Sequence, residues 1–146
     1  MRPARDMTPQ ELAEASAKAM WNDDSASQRL NMSLDHIAPG EADLTMTITP
    51  DMSNGHGNCH GGYMFTLADS AFAFACNSYN QMAVAQHCSI TYLIPGRIGD
   101  RLTAGDPEWH ALEPRTDRYL LASVDLERNA SGDIVAVPEG SSANRL

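Results

Sequence analysis

The chain has 146 residues and a net charge of -9, enough length for one domain with one core. That charge leaves no basic stripe to displace counterions, which excludes the usual nucleic-acid binder. Cys59, Cys76 and Cys88 make an odd set with no framework spacing, so reduced thiols in a cytoplasmic protein are expected. Residues 1–6 lack the apolar run of a signal peptide.

Thr8-Pro9-Gln10-Glu11 opens a helix. Thr8 caps it, Pro9 suits the first turn and Glu11 completes a capping box. The helix is expected to run to about Trp21, with an interruption at Asn22–Ser25 and a short second turn to Leu30. Residues 1–29 read as a helical segment packing on a domain of residues 30–146. Residues 31–38 and 42–49 then read as a hairpin about Pro39-Gly40. Leu44, Met46 and Ile48 alternate with Thr45, Thr47 and Thr49, a period of two. Pro50 ends the strand.

The next stretch carries the chemistry. Asn54-Gly55-His56-Gly57-Asn58-Cys59-His60-Gly61-Gly62 is a loop rich in glycine, histidine and asparagine, a mixture suited to backbone shapes closed to bulky residues. From Gly61 or Gly62 to Asn77 the sequence reads as a helix without proline. Its apolar residues cover most of the circumference, which predicts a buried helix of marginal length for spanning a membrane. Asp69 lies in its middle. Positions three and four away hold Phe65, Thr66, Phe72 and Ala73, so no helix-local ion pair accounts for the carboxylate. A buried carboxylate without a local partner marks a candidate functional group. A structural aspartate bonded to a distant group, or one facing solvent, is the plainer reading.

The first amides of that helix lack intrahelical acceptors and carry the positive end of its dipole. They suit an anion or a developing oxyanion, and glycine there lets a substrate approach the backbone. Asp69 is eight residues further on, roughly 12 Å along the axis. One chain cannot easily bring Gly61 and Asp69 to one small reacting group. Two chains can, if each Asp69 faces the other's Gly61, which points to a two-fold homodimer.

Further strands are expected at 83–94, 101–112, 118–128 and 134–143, with turns at Pro95-Gly96, Gly99-Asp100 and Asn129–Asp133. Pro138 predicts a bulge or an edge position for the last one. The whole is an α+β domain, an antiparallel sheet wrapped on a helix. His56, Cys59, His60, His87 and Cys88 invite a metal reading, but no clean four-ligand set appears. Cys59 as a thiol nucleophile at the helix start is a second alternative.

The block Asn54-Gly55-His56, Cys59-His60-Gly61-Gly62, Leu67-Ala68-Asp69 and Ala75-Cys76-Asn77-Ser78 resembles the hotdog-fold acyl-CoA thioesterases of the phenylacetic-acid-degradation type. The likeness continues through Pro95-Gly96, Gly99-Asp100 and Ile134-Val135-Ala136. It implies a long helix wrapped by a curved antiparallel sheet of about six strands, joined edge to edge in a dimer, with dimers pairing into tetramers. The implied activity is hydrolysis of phenylacetyl-CoA, its hydroxylated relatives, or related aryl or medium-chain acyl-CoA to free acid and CoA. Coenzyme A enters as part of the substrate, and no separate cofactor, metal, nucleic acid or membrane is implied. Asp69 is then the general base or nucleophile, and the Gly61 amide of the other subunit the oxyanion donor. Asn54 positions water or the acyl group, and His60 lies beside the carbonyl. Gly62, Phe65 and Thr66 bind substrate, and Arg115 and Arg118 serve the nucleotide phosphates. Val137-Pro138-Glu139-Gly140 departs from the family's basic ending, since Glu139 repels a phosphate. A binding module without catalysis, or a dehydratase-like use of the fold, is the alternative.

Overall fold

The computed structural model describes residues 3–105, 119–123, 125–128 and 133–144. Helix α1 (Pro9–Asp23) starts on the expected capping box: the Thr8 hydroxyl accepts the Glu11 amide, and the Glu11 carboxylate accepts the Thr8 amide at 2.7 Å. Asp24 ends α1 and caps the short α2 (Ser25–Arg29), its carboxylate accepting the Ser27 amide and hydroxyl. The hairpin follows as β1 (Ser33–Ala38) and β2 (Glu41–Thr47). Its turn needs Gly40, at φ 78°, and the Gly40 amide donates to the Ser78 hydroxyl at 2.7 Å.

Helix α3 spans Gly61–Asn77. β3 (Ala83–Tyr92), β4 (Arg101–Gly105), β5 (Tyr119–Ser123), β6 (Asp125–Arg128) and β7 (Asp133–Asn144) complete a seven-stranded sheet. Its order is β1-β2-β4-β6-β7-β3, and every pairing is antiparallel. β5 and β6 both pair with β7, β5 at residues 139–143 and β6 at residues 133–136. α3 packs on one face, against β2, β3, β4 and β7.

Leu44, Met46 and Ile48 point into that core and are almost wholly buried. On the opposite face Thr45 is also buried, because Asp35 and Arg101 close over it. The Thr45 hydroxyl donates to Asp35 at 2.7 Å and accepts from Arg101 at 2.8 Å. α1 lies against β1 and α3. Trp21 meets Phe74 with ring centroids 5.9 Å apart, an edge-tilted contact worth about 1 kcal/mol beyond its buried area.

Two expectations need correction. α3 is not buried all round. Leu67, Ala68, Phe72, Phe74 and Ala75 enter the core, while Gly62, Thr66, Asp69 and Ala73 form one stripe with solvent contact. An open sheet covers only one side of a helix, and alanine and glycine tolerate either side. Of the two positions that Pro138 predicts for β7, a bulge or an edge, the edge is excluded, because β7 lies between β3 and the β5/β6 pair, while its register against β6 shifts between Ala136 and Ile134. Pro138 is buried and pairs with Ile90 of β3, at the interval where pairing passes from β5 to β6. The missing donor therefore falls between two partners. β3 is the strand at the end of the sheet, and among the described residues no strand covers its outer edge.

Candidate functional site

The glycine loop is held by its asparagine. The Asn54 side-chain oxygen accepts the His56 amide at 2.9 Å and the Asn58 amide at 3.2 Å. The Asn54 amide donates to the Asn58 carbonyl at 2.7 Å, and Gly57 turns the chain at φ 79°. Asparagine thus supplies the turn that its position predicts. The loop is then tied down at its far end. The Cys59 amide donates to the Gly96 carbonyl at 2.8 Å, and the His60 amide to the Met52 carbonyl at 2.7 Å.

His60 caps α3. Its Nδ1 accepts the Gly62 amide at 3.0 Å, and its carbonyl accepts the Tyr63 amide at 3.0 Å. The neutral ring therefore carries its proton on Nε2. Among the described residues none accepts from the Gly61 amide. Of the amides from His60 to Tyr63, Gly61's is the one left to an external acceptor. The cap strips the helix start down to one free donor at the positive end of the dipole.

Gly61 is glycine for a reason the sequence did not disclose. A Cβ there would stand 2.7 Å from the Tyr92 ring and hydroxyl. The Tyr92 hydroxyl donates to the Gly61 carbonyl at 2.8 Å. Side chain, not substrate, takes the space on that side. Gly61, Tyr92, Asn54, Cys59, Leu93 and Ile94 are among the residues lining a cleft of about 400 Å3.

Asp69 opens elsewhere. With Ala73, Met20 and Val84 it lines a second cleft, of about 570 Å3, between α1, α3 and the start of β3. The residue is exposed on the open stripe, which corrects the expectation of a buried carboxylate: one face of the helix is left uncovered by the sheet. Burial of the carboxyl still raises its pKa from the ordinary aspartate value. Burial first, and then the Asp69 charge, push the Cys88 thiol up as well, which places the carboxyl beside β3. No hydrogen bond or ion pair is made by the Asp69 side chain among the described residues.

The predicted site residues thus fall into separate places. Asn54 and Gly61 share the first cleft, and Asp69 lines the other. His60, Gly62 and Thr66 border a third recess with Tyr63. The Thr66 hydroxyl donates back to the Gly62 carbonyl at 2.8 Å. Phe65 is half-buried on α3 and lines none of these three clefts. Arg115 and Arg118 lie outside the described residues. Cys59 is buried, its thiol reaches the His60 carbonyl at 3.4 Å, and burial pushes its pKa up. That opposes the thiolate a nucleophile needs. Among the described residues no three His, Cys, Asp or Glu side chains gather as a metal set. Tyr92 is the site residue the sequence reading missed. It lies 31 positions from its partner, and no local pattern announces such a contact.

A long helix packed on one face of an antiparallel sheet, with a free amide at its start, is the arrangement of the hotdog fold. Residues 56–105 match the model of the thioesterase superfamily. The acyl-coenzyme A thioesterase PaaI of Escherichia coli is 49% identical over 88 residues, which are 60% of this chain and 63% of that one. The human acyl-coenzyme A thioesterase 13 is 30% identical over 101 residues, covering 68% of this chain and 69% of its own. The structure of E. coli PaaI, from the phenylacetic acid degradation operon, superposes with a TM-score of 0.86, 35% identity, and coverage of 95% of this chain and 97% of that one. The chain belongs to the thioesterase superfamily, a family of thioester-cleaving enzymes with the hotdog fold.

Proposed function

We propose that this chain hydrolyses acyl-CoA thioesters as a homodimer, at sites shared between two protomers. The observation that carries the reading is the division of labour along α3. The Gly61 amide has no acceptor among the described residues, while Asp69 opens on a different cleft roughly 12 Å along the same helix. One carbonyl cannot reach both within a protomer. The outer edge of β3 supplies a surface for the second copy, with Met82, Val84, Leu93, Ile94 and Ile98 exposed along and beyond it. A free strand edge flanked by exposed apolar residues favours pairing with another strand.

In this mechanism the thioester oxygen accepts the Gly61 amide, which stabilises negative charge as the carbonyl is attacked. Ionised Asp69 of the partner subunit takes a proton from water as water adds, or attacks the carbon itself. When water attacks, the C–S bond breaks, CoA leaves as the thiol with the proton Asp69 took, and the free acid departs. When Asp69 attacks, CoA leaves as thiolate and a mixed anhydride of Asp69 forms. Water hydrolyses it to the free acid and ionised Asp69, one of the water's protons going to the thiolate. Asn54 spends its oxygen on the loop and keeps its Nδ2 group for the cleft it lines. His60 contributes as the cap that leaves Gly61 free. We assign the acyl group to the arylacetyl class, phenylacetyl or its ring-hydroxylated forms, on the similarity to PaaI. Arg115 and Arg118 are proposed for the CoA phosphates, pairing of dimers into tetramers follows the same resemblance, and the cytoplasm is the proposed site of action. No described helix is long and apolar enough to cross a membrane.

The test is thiol release from phenylacetyl-CoA and from short, medium and long acyl-CoAs, with wild type and Asp69→Asn side by side. Release by wild type and its loss in the variant support the reading. No release from any acyl-CoA by folded wild type overturns it in favour of a binding module.

A further inference from the structure

We propose that Tyr92 is a positioning residue for the Gly61 amide, locking the oxyanion donor to the end of β3. This rests on the thioesterase reading above. Two contacts define the lock. The Tyr92 hydroxyl donates to the Gly61 carbonyl at 2.8 Å, and the phenol ring fills the place of the absent Cβ, whose ideal position is 2.7 Å from it. The first contact fixes the peptide plane after Gly61. The second fixes its Cα, which belongs also to the peptide plane before it, the one bearing the free amide. The other restraints on this turn come from the loop side, through His60 and Met52. Tyr92 supplies the restraint from the sheet side.

The hydroxyl is a donor at neutral pH even at the ordinary tyrosine value, and burial and then the neighbouring Cys59 push that value further up. Tyr92 also lines the cleft onto which Gly61 opens. It ends the strand whose outer edge is free. The helix start is therefore bolted to the same strand that the proposed dimer uses, so pairing of two copies sets the oxyanion donor's place relative to the second protomer. A single glycine in the first turn, with no side chain of its own, has few other means of holding its amide to a fixed direction. Donors of this kind act only when held close to the productive geometry, and a displacement of about 1 Å costs on the order of 100-fold.

The experiment compares wild type, Tyr92→Phe, Tyr92→Ala, Gly61→Ala and the Gly61→Ala/Tyr92→Ala double variant, using thiol release from the best acyl-CoA with melting and oligomer size as controls. Tyr92→Phe keeps the ring and removes the hydrogen bond. It should lower kcat about 10- to 100-fold and leave KM within about twofold, with the oligomer intact. A tyrosine that merely supports the fold would lower Tm and leave kcat and KM together. The double variant should lose less than the product of the two single losses, because removing the ring opens the space a Cβ at position 61 needs. Unchanged kcat in Tyr92→Phe, or strictly multiplicative losses in the double variant, overturns the inference while leaving thioesterase activity standing. Absence of wild-type activity overturns both.

Discussion

His60 Nδ1 accepts the Gly62 amide at 3.0 Å, and by doing so it leaves Gly61 as the one amide of the helix start without an acceptor among the described residues. A histidine in this position has two separable parts, a cap acceptor on Nδ1 and a donor on Nε2. His60→Ala removes both, costs about 1 kcal/mol of stability, and frees the Gly62 amide to compete for the oxyanion. His60→Asn restores a good cap without the ring. If the cap is what matters, His60→Asn should recover most of the stability and activity lost in His60→Ala. Recovery of Tm without kcat would assign a direct role to Nε2. Melting curves and steady-state rates on the two variants read the difference.

Asn54 permits a similar separation. Its Oδ1 takes two loop amides, so Asn54→Ala should cost about 1–2 kcal/mol and loosen the approach to His60. Asn54→Asp keeps the acceptor and removes the Nδ2 donor. The aspartate variant should melt within a few degrees of wild type yet turn over at least about 10-fold more slowly, if Nδ2 orients water or the acyl group. Equal rates for wild type and Asn54→Asp would confine Asn54 to the loop.

Much of this arrangement is legible in the residues. The capping box at Thr8, the limits of α3 and the turn at Gly40 follow from local rules, and the structure has them within a residue or two. What local rules cannot supply is which side of an element meets another. α3 looks apolar all round, yet Gly62, Thr66, Asp69 and Ala73 line up on an open stripe, because one sheet covers only one side. Pro138 reads as a bulge or an edge residue, and β7 is internal, since the proline falls where its partner strand changes, close to the register shift between Ala136 and Ile134. Gly61 looks like room for a substrate, and the space belongs to Tyr92. Each of these depends on a contact between segments distant in sequence, where periodicity carries no information.

Asp69, the proposed base or nucleophile, should make the protein less stable at the pH where it is ionised. Burial raises its folded-state pKa above the unfolded value, so between those two values the folded state binds more protons than the unfolded. Stability therefore falls as pH rises through the window and stays lower above it. Asp69→Asn removes the ionisation. Because the residue is exposed, solvent screens the effect, so at pH 7 the variant should melt slightly above wild type, and the gain should vanish below the unfolded aspartate pKa. In wild type, kcat/KM should decline on the acid side with an apparent pKa above the ordinary aspartate value, because only the ionised carboxyl serves. A melting series across pH, run with the rate profile, checks both signs at once. A lower Tm for Asp69→Asn at pH 7 would contradict the assignment of the shift to burial.

The shared-site reading makes a prediction that no single-protomer mechanism shares. Gly61→Ala drives a Cβ into the Tyr92 ring and displaces the oxyanion amide. Asp69→Asn removes the carboxylate from the far cleft. Each variant alone should be nearly inactive. When the two are mixed, dissociated and reassembled, half of the random dimers pair one of each. Such a dimer has one site carrying both defects and one site carrying neither. Activity should return to about a quarter of the wild-type value if subunits exchange freely. Were Gly61 and Asp69 of one protomer to serve the same carbonyl, every site in every mixture would hold one defect, and mixing would restore nothing. Val84→Arg, which puts a charge on the exposed β3 edge, should weaken the dimer and lower activity together, recovering both at high protein concentration. Size-exclusion and rate measurements over a dilution series follow the two in parallel, and full activity in a stable Val84→Arg monomer would return the reaction to a single chain.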